Sequence, residues 1–557
     1  RVMVPSFVSL CAQRLVSDHS LSPRWLGCVP RELYCPLLEA ALLQRRPLAI
    51  GELVQRWPER TLCLGRGLLP SSGQGQGLYS RLCVQALLLA VVKGLGDPRC
   101  ALRVLDLCGV QCERGAGDTP ESDSMGGWSL TLALCSAVLQ ARGSEAVGVA
   151  GTKLRRGGSL GEGEWKRGLA RGLEGEMGGE GKRERGLGVG AEGEKEKGAL
   201  RHPETGRERK RGYTRLMEMD SEREHATAVD VRADLFVNSR SWERVRAALT
   251  AGGPLRLQCR ELRVEAMPAT SIVTMLSLLP RPGLQGLDLR YSNLGVDGLA
   301  LLIPALAPFP ELRSLRLHYC NLDLRRHQPG QEVELCKIAR GLGALGSLRR
   351  LSMTALRLSG HLRLLLSSLS QPLEVLELPY FSLTPADLSY LSCSPHVSSL
   401  QRLDLSENRL GEEALPSLCR LLHQASGSLL HLSLCGCGLT DGQLEMLRPC
   451  LTRCQALRTL GLALNPLSQA GVFSLVRVAT AISSLQLLLY PQPLESYQPG
   501  LPHTPSSYQL MEWPLEEEDG VLGATQAELE RCLQERGRTD LLVTSDLLTY
   551  SSIDNPE

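Results

Sequence analysis

Aromatic side chains are scarce in this chain: five Phe, six Trp and eleven Tyr make up 4% of its 557 residues. The core must therefore be aliphatic. Leucine dominates it, which fits repeats filled by one residue type better than a mixed globular core. An excess of one charge is also missing. With 62 Lys+Arg against 60 Asp+Glu the formal net charge is +2, so the basic surplus of a nucleic-acid binder is absent. At 43% hydrophobic and 22% charged, the chain is not an acidic disordered polymer either. Long apolar runs are lacking. Ala86 to Val92 is among the longest, about a third of a membrane span, so no membrane role is expected. No Asn-x-Ser/Thr acceptor, no Cys-x-x-Cys pair and no signal peptide are visible. Most of the nineteen cysteines then read as small buried hydrophobes of a reduced, cytoplasmic or nuclear protein.

The motifs of common catalysts are missing as well. There is no G-x-x-x-x-G-K-[ST] phosphate loop and no H-E-x-x-H metal pair. The ten His show no metal spacing relative to Cys, so no metal or cofactor is expected and the chain reads as non-catalytic. A Cys-dependent enzyme, the rival in this class, requires a low-pKa thiol.

Composition divides the chain. Residues 1–100 are Leu- and Pro-rich with helical spacing, and 101–143 hold a strand-like and a helix-like run that make a first repeat-like unit. From Gly143 to Gly212, 20 of 70 residues are Gly, interleaved with Glu, Lys and Arg. Segment 144–226 cannot bury enough apolar surface to offset its chain entropy and is expected to be disordered. A translated intron would read the same way. Its Gly188, Gly190 and Gly193 spell G-x-G-x-x-G without a preceding strand, which carries no weight. Residues 227–490 repeat, and 491–557 form a C-terminal cap and tail.

The repeat is Leu-x-x-Leu-x-Leu-x-x-Asn-x-Leu, with copies beginning at Leu284, Leu312, Leu348, Leu373, Leu400, Leu429 and Leu457. The clearest are Leu400, Leu403, Leu405, Asn408, Leu410 and Leu457, Leu460, Leu462, Asn465, Leu467. Elsewhere Ser292, Cys320, Leu356, Phe381 or Cys437 stands at the Asn position. Most spacings are 25 to 29 residues, which predicts an α/β leucine-rich repeat solenoid, a horseshoe with a helical N-terminal region. The Leu-x-Leu run is a short strand with inward leucines, followed by a helix on the convex side, and stacking is obligatory because one repeat cannot bury its own face. Leu102, Leu105 and Leu107 should form the opening strand, with Val229 to Val237 resuming the stack after the insert. Residues between the inward leucines line the concave face. Asp288, Arg290, Arg316, His318, Glu377 and Asp404 are the candidates there for contacting a protein substrate, along a strip running from mostly basic to acidic to neutral. Ordinary solvated strand positions would look alike.

Two short N-terminal patterns remain. Ser6-Phe7 with Cys11 and Leu15 puts Phe7, Cys11 and Leu15 four apart on one helical face, which suits a partner groove. Val29-Pro30 with Leu33 and Leu37 gives apolar-Pro-x-x-apolar-x-x-x-apolar, with Pro30 placed for a first helical turn and Pro36 expected to end or kink that helix. Apolar spacing of this kind also marks core helices.

The stretches PRELYCPLLEAAL, ELVQRWPERTLCL and ALRVLDLCG resemble the PRAME family of leucine-rich repeat proteins. VDVRADLFVNSRSW, LDLRYSNLGVDGLALLIP, LSLCGCGLTDGQLEML and LGLALNPLSQAGV extend the resemblance over about 1–143 and 227–550. It implies a substrate-recognition subunit of a cullin-2 RING ubiquitin ligase. A BC box there binds elongin C of the elongin B/C pair, a cullin box contacts cullin-2, and the repeats hold the substrate. Ser6, Phe7, Cys11 and Leu15 match the BC box, with Phe where Leu is usual. Val29, Pro30, Leu33 and Leu37 match the cullin box. One branch of the family is also associated with damping NF-κB signalling through an IκB kinase subunit, which gives the alternative of a ligase-independent repeat inhibitor.

Overall fold

The computed structural model describes residues 6–17, 29–65, 79–97, 99–110, 112, 125–154, 228–324, 330–516 and 521–547. The chain divides into two units, one of residues 1–142 with 228–557 and one of residues 143–227. Of the second only the end of a helix is described.

The larger unit is a leucine-rich repeat solenoid. Its thirteen described strands form a single parallel sheet in strict chain order. They are β1 (Thr61–Cys63), β2 (Val104–Asp106), β3 (Val229–Asn238), β4 (Leu255–Glu265), β5 (Gly286–Arg290), β6 (Ser314–His318) and β7 (Arg350–Thr354). Then follow β8 (Val375–Glu377), β9 (Arg402–Asp404), β10 (His431–Ser433), β11 (Thr459–Gly461), β12 (Leu487–Leu489) and β13 (Leu542–Thr544). Register is set by the central leucine: Leu376, Leu403, Leu432, Leu460 and Leu488 pair in one row, all fully buried. A one-residue slip would turn that row to solvent, so the pattern fixes the pairing.

The stack reaches further than the repeat pattern does. Leu102, Leu105 and Leu107 are buried as expected, but β2 is not the opening strand, because β1 pairs with it in parallel. Beyond the insert β3 pairs directly with β2, matching Leu105 to Val231, so the array runs continuously across the sequence gap. At the other end β13 adds a strand after β12, in the segment that composition sets aside as cap and tail. The helix Met125–Leu154 continues past residue 143, so the first part of the Gly/Glu-rich segment is helical rather than disordered. The remainder of that expectation lies outside the described residues, as does part of the long loop between Leu312 and Leu348.

Each repeat must turn its chain out of the strand without leaving backbone groups unpaired. At Asn408 the side-chain Nδ2 donates to the carbonyls of Leu378 (2.8 Å) and Leu405 (2.9 Å), and Oδ1 accepts from the Leu383 N–H (3.1 Å). Asn465 repeats this with Leu434, Leu462 and Leu439. Where the sequence departs from Asn, smaller groups do part of the same work. Ser292 Oγ accepts from the Met267 N–H, and the thiols of Cys320 and Cys437 donate to Leu289 and Leu405. The residue just before this position is left-handed in every one of these repeats: Tyr291, Tyr319, Ala355, Tyr380, Glu407, Gly436 and Leu464 have φ between 52° and 63°. That turn ends the strand and carries the side chain to the rim of the sheet.

The N-terminal region supplies α1 (Phe7–Ser17), α2 (Tyr34–Leu43), α3 (Pro47–Gln55) and α4 (Arg81–Gly94), with a 3-10 turn at Arg31–Leu33 before α2. Pro36 does not end the helix. It sits in the first turn of α2, where its missing N–H costs nothing, and Pro30 caps the 3-10 turn instead.

Asn408→Ala would strand the Leu383 N–H and the Leu378 carbonyl in the core. The expected loss is about 2–4 kcal/mol of stability, read as a lower urea midpoint. An unchanged midpoint would contradict the structural role given to Asn408.

Candidate protein-docking surfaces

Helix α1 carries two neighbouring apolar rows, about 120° apart around its axis. Ala12 and Val16 are buried, and Gln44 on the turn after α2 donates to the Gln13 carbonyl (2.9 Å), so one face is fixed against α2. The other face carries Phe7, 81% exposed, Cys11, exposed, and Leu15, 43% exposed, flanked by exposed Val8 and Leu10. Ser6 caps the helix by accepting from the Ser9 N–H (3.1 Å). The four residues of the first pattern therefore occur together, three of them in a row facing solvent.

The second pattern divides. Pro30 is exposed, and Val29 and Leu33 are half-buried against the core. Leu37 is 1% exposed and packs inward with Leu38 and Ala41, so it is not available to a partner. The spacing that selects it is the spacing of the buried stripe of α2. Sequence reasoning also passes over the exposed leucines of this region: Leu48 on α3 at 84% and Leu82 on α4 at 66%. Only knowledge of which stripe of each helix faces inward could have found them.

The outer face of the sheet holds the six strand candidates, and the structure pairs several of them with neighbours. Arg290 Nε lies 3.0 Å from both carboxylate oxygens of Asp288, so these two neutralise each other. Arg263 is likewise tied to Glu265 at 2.6 Å. Along the central row the order is Arg263, Asp288, Arg316, Ser352, Glu377, Asp404. Charge alternates at the first end, so the smooth basic-to-acidic gradient is corrected to an alternating stretch followed by two adjacent carboxylates. Glu261 leans over Gly286, where a Cβ would collide with it. Burial raises its pKa most, and Asp234 adds to this, while Arg316, Arg260 and Arg350 pull it down. Asp404 accepts from the N–H (2.8 Å) and hydroxyl (2.5 Å) of Ser406. His318 is largely withdrawn from water and faces Ser352 Oγ at 3.3 Å. Burial pushes its pKa down to about 4, with Arg290, Arg316 and Arg263 adding to the effect and Asp288 opposing it.

Among the described residues no His/Cys/Asp/Glu cluster could hold a metal ion, and no helix is long and apolar enough to cross a membrane. Of the described thiols whose pKa moves, Cys393 alone goes down, through Ser392 and the Arg420 guanidinium (3.7 Å). Burial raises others such as Cys108, Cys259 and Cys437.

Comparison with known families and sequences agrees with this architecture. Residues 4–113 match the model of the PRAME N-terminal domain, and residues 241–502 that of the PRAME C-terminal domain. The chain is similar to leucine-rich repeat-containing protein 14 of Xenopus laevis, 35% identical with 99% of each chain covered. It is also similar to the Homo sapiens protein of that name, 32% identical with 97% of each covered. PRAME family member 7 of Homo sapiens is 32% identical over 44% of this chain and 52% of its own length. A solved complex of TLR13 with a single-stranded RNA matches 47% of this chain and 35% of the other, at 18% identity and a TM-score of 0.28.

A neutral His318 ties stability to pH. Its pKa falls from 6.5 unfolded to about 4 folded, so the unfolded state binds more protons between these values and stability drops as pH falls through that window. The expected contribution is at most about 3 kcal/mol. His318→Gln should flatten this part of the pH–stability curve measured by denaturation. An unaltered slope would show that His318 is not the titrating group.

Proposed function

The chain belongs to the PRAME family, and we propose that it is a non-catalytic substrate-recognition adaptor of a cullin-2 RING ubiquitin ligase. One observation carries the reading: α1 is seated on α2 by Ala12 and Val16 while a second apolar face, Phe7, Cys11 and Leu15, faces solvent. A short helix whose apolar surface is wider than the stripe the fold buries has a row to spare, and such a row suits the groove of a partner. In this reading elongin C, with elongin B, receives that row. Cullin-2 meets the chain at Pro30 and the half-buried Val29 and Leu33. Leu37 contributes by shaping α2 from inside.

The repeat array would hold a protein substrate on the outer face of its sheet, in the cytoplasm or nucleus where these ligases act. Ubiquitin transfer would come from the RING and conjugating subunits, brought close to the substrate by the adaptor, so this chain needs no catalytic group.

The test is co-purification with elongin B, elongin C and cullin-2. Wild type should recover the complex, and Cys11→Asp and Leu15→Asp should lose it while keeping the wild-type melting temperature, since both side chains are exposed. Pro30→Ala should keep elongin and lose cullin-2. Failure of wild type to bind any of them would leave a free repeat scaffold that masks a signalling protein such as an IκB kinase subunit.

A further inference from the structure

The left-handed rim positions carry the main exposed aromatic surface of the repeats. Tyr291, Tyr319 and Tyr380 are all exposed, and Tyr291 stacks on Tyr319 with centroids 5.3 Å apart and planes 13° from parallel. The stack is interrupted once. Between Tyr319 and Tyr380 the equivalent residue is Ala355, so one ring is missing from the row. Backbone bonds keep the register across the gap: Tyr319 N–H donates to Thr354, Ala355 N–H to Pro379 and Tyr380 N–H to Ser406. Neighbouring parallel strands lie about 4.8 Å apart, so the two tyrosines flanking Ala355 are set about 10 Å apart, room for one planar group between two rings.

Beyond Tyr380 the rim is acidic. Glu407 follows Tyr380 in the rim row and accepts from the hydroxyls of Ser507 (2.5 Å) and Tyr380. Its partners are neutral, and burial raises its pKa, as expected for a carboxylate without a countercharge. Its influence crosses the gap: burial raises the pKa of Tyr319 most, and Tyr291 and Glu407 add to it. Glu377 and Asp404 stand side by side on the adjoining strands. Of the bases near the row, Arg290 is engaged by Asp288 and Arg357 by Asp323 (3.5 Å). The Ser507 contact also anchors the helix Ser507–Glu512 over Gly436, bringing the exposed Tyr508 and Met511 beside the same rim.

We infer that the gap over Ala355, between Tyr319 and Tyr380 and with Glu407 next along the rim beyond Tyr380, receives an arginine side chain of a bound protein segment. A guanidinium is planar, stacks on tyrosine faces and is less strongly hydrated than an ammonium, so it suits the space between the rings while the neighbouring carboxylate attracts its charge. The inference deepens the adaptor reading by giving the chemistry of the substrate's anchor, and it rests on that reading only for the word substrate.

The experiment uses the full chain and a phage-displayed library of random dodecapeptides. Wild type should enrich peptides with arginine at one fixed position. A selected peptide, labelled with fluorescein and measured by anisotropy, should weaken about tenfold or more when its arginine becomes glutamine. Ala355→Tyr restores the missing ring and should abolish binding without harming the fold, because tyrosine already occupies this left-handed position in three repeats. Tyr380→Ala should weaken binding from the other wall, so the result does not depend on one variant folding. Leu15→Asp should leave peptide affinity unchanged, which separates this surface from the elongin face. Enrichment of aliphatic or acidic anchors, no enrichment at all, or equal affinity for Ala355→Tyr would each overturn the inference.

Discussion

Everything in the larger unit depends on the burial of leucine between neighbouring repeats. A three-residue strand such as Arg402–Asp404 has one inward side chain, Leu403, and no stability alone. It exists because Leu376 and Leu432 lie on either side in register and the helix Leu415–Ala425 closes over it with Leu418, Leu421 and Leu422. The side chains at the Asn position then join one repeat to the next. Asn408 holds backbone of its own repeat and of the one before, and Cys437 repeats part of this one step later. Stability is therefore a property of neighbours, and surfaces that face away from the stack are free to differ.

Two of those surfaces carry the functional argument. At the N-terminal end α1 spends one apolar face on α2 and leaves the other in water. On the rim of the sheet, the left-handed residue that ends each strand recurs at nearly constant spacing, and Tyr291, Tyr319 and Tyr380 among these residues are exposed. The first surface fits a shared ligase component, because it lies on an element outside the repeats. The second is set repeat by repeat, which suits recognition of a particular protein segment.

The repeat was readable because inward leucines recur at fixed offsets, and no other fold explains Leu400, Leu403, Leu405, Asn408 and Leu410 in that order. The continuity from β2 to β3 was readable too, since Leu105 and Val231 continue one apolar row across the insert. The strands β1 and β13 were not, because β1 keeps Leu62 and Leu64 but has Glu59 and Gly67 at the first-leucine and Asn positions, and β13 has Val543 and Ser545 where the paired leucines would stand. At the N-terminus, spacing found the row of Phe7, Cys11 and Leu15 but could not say which stripe of α2 faces in, and so placed Leu37 among partner contacts. The tyrosine row escaped for a different reason. Tyr291, Tyr319 and Tyr380 look unrelated until the backbone shows that all three share one left-handed position, beside Ser292, Cys320 and Phe381. Charge along the strands misled in the same way, because Asp288 and Arg290 neutralise each other across one residue, a pairing that a one-dimensional strip hides.

The most direct test of the account is hydrogen exchange, read by mass spectrometry, on the full chain with and without the elongin B–elongin C pair. If α1 is the docking element, exchange should slow in residues 6–17 while the strands from Gly286 to Gly461 remain unchanged. Protection on the sheet with none in α1 would contradict the assignment of separate surfaces for ligase and substrate.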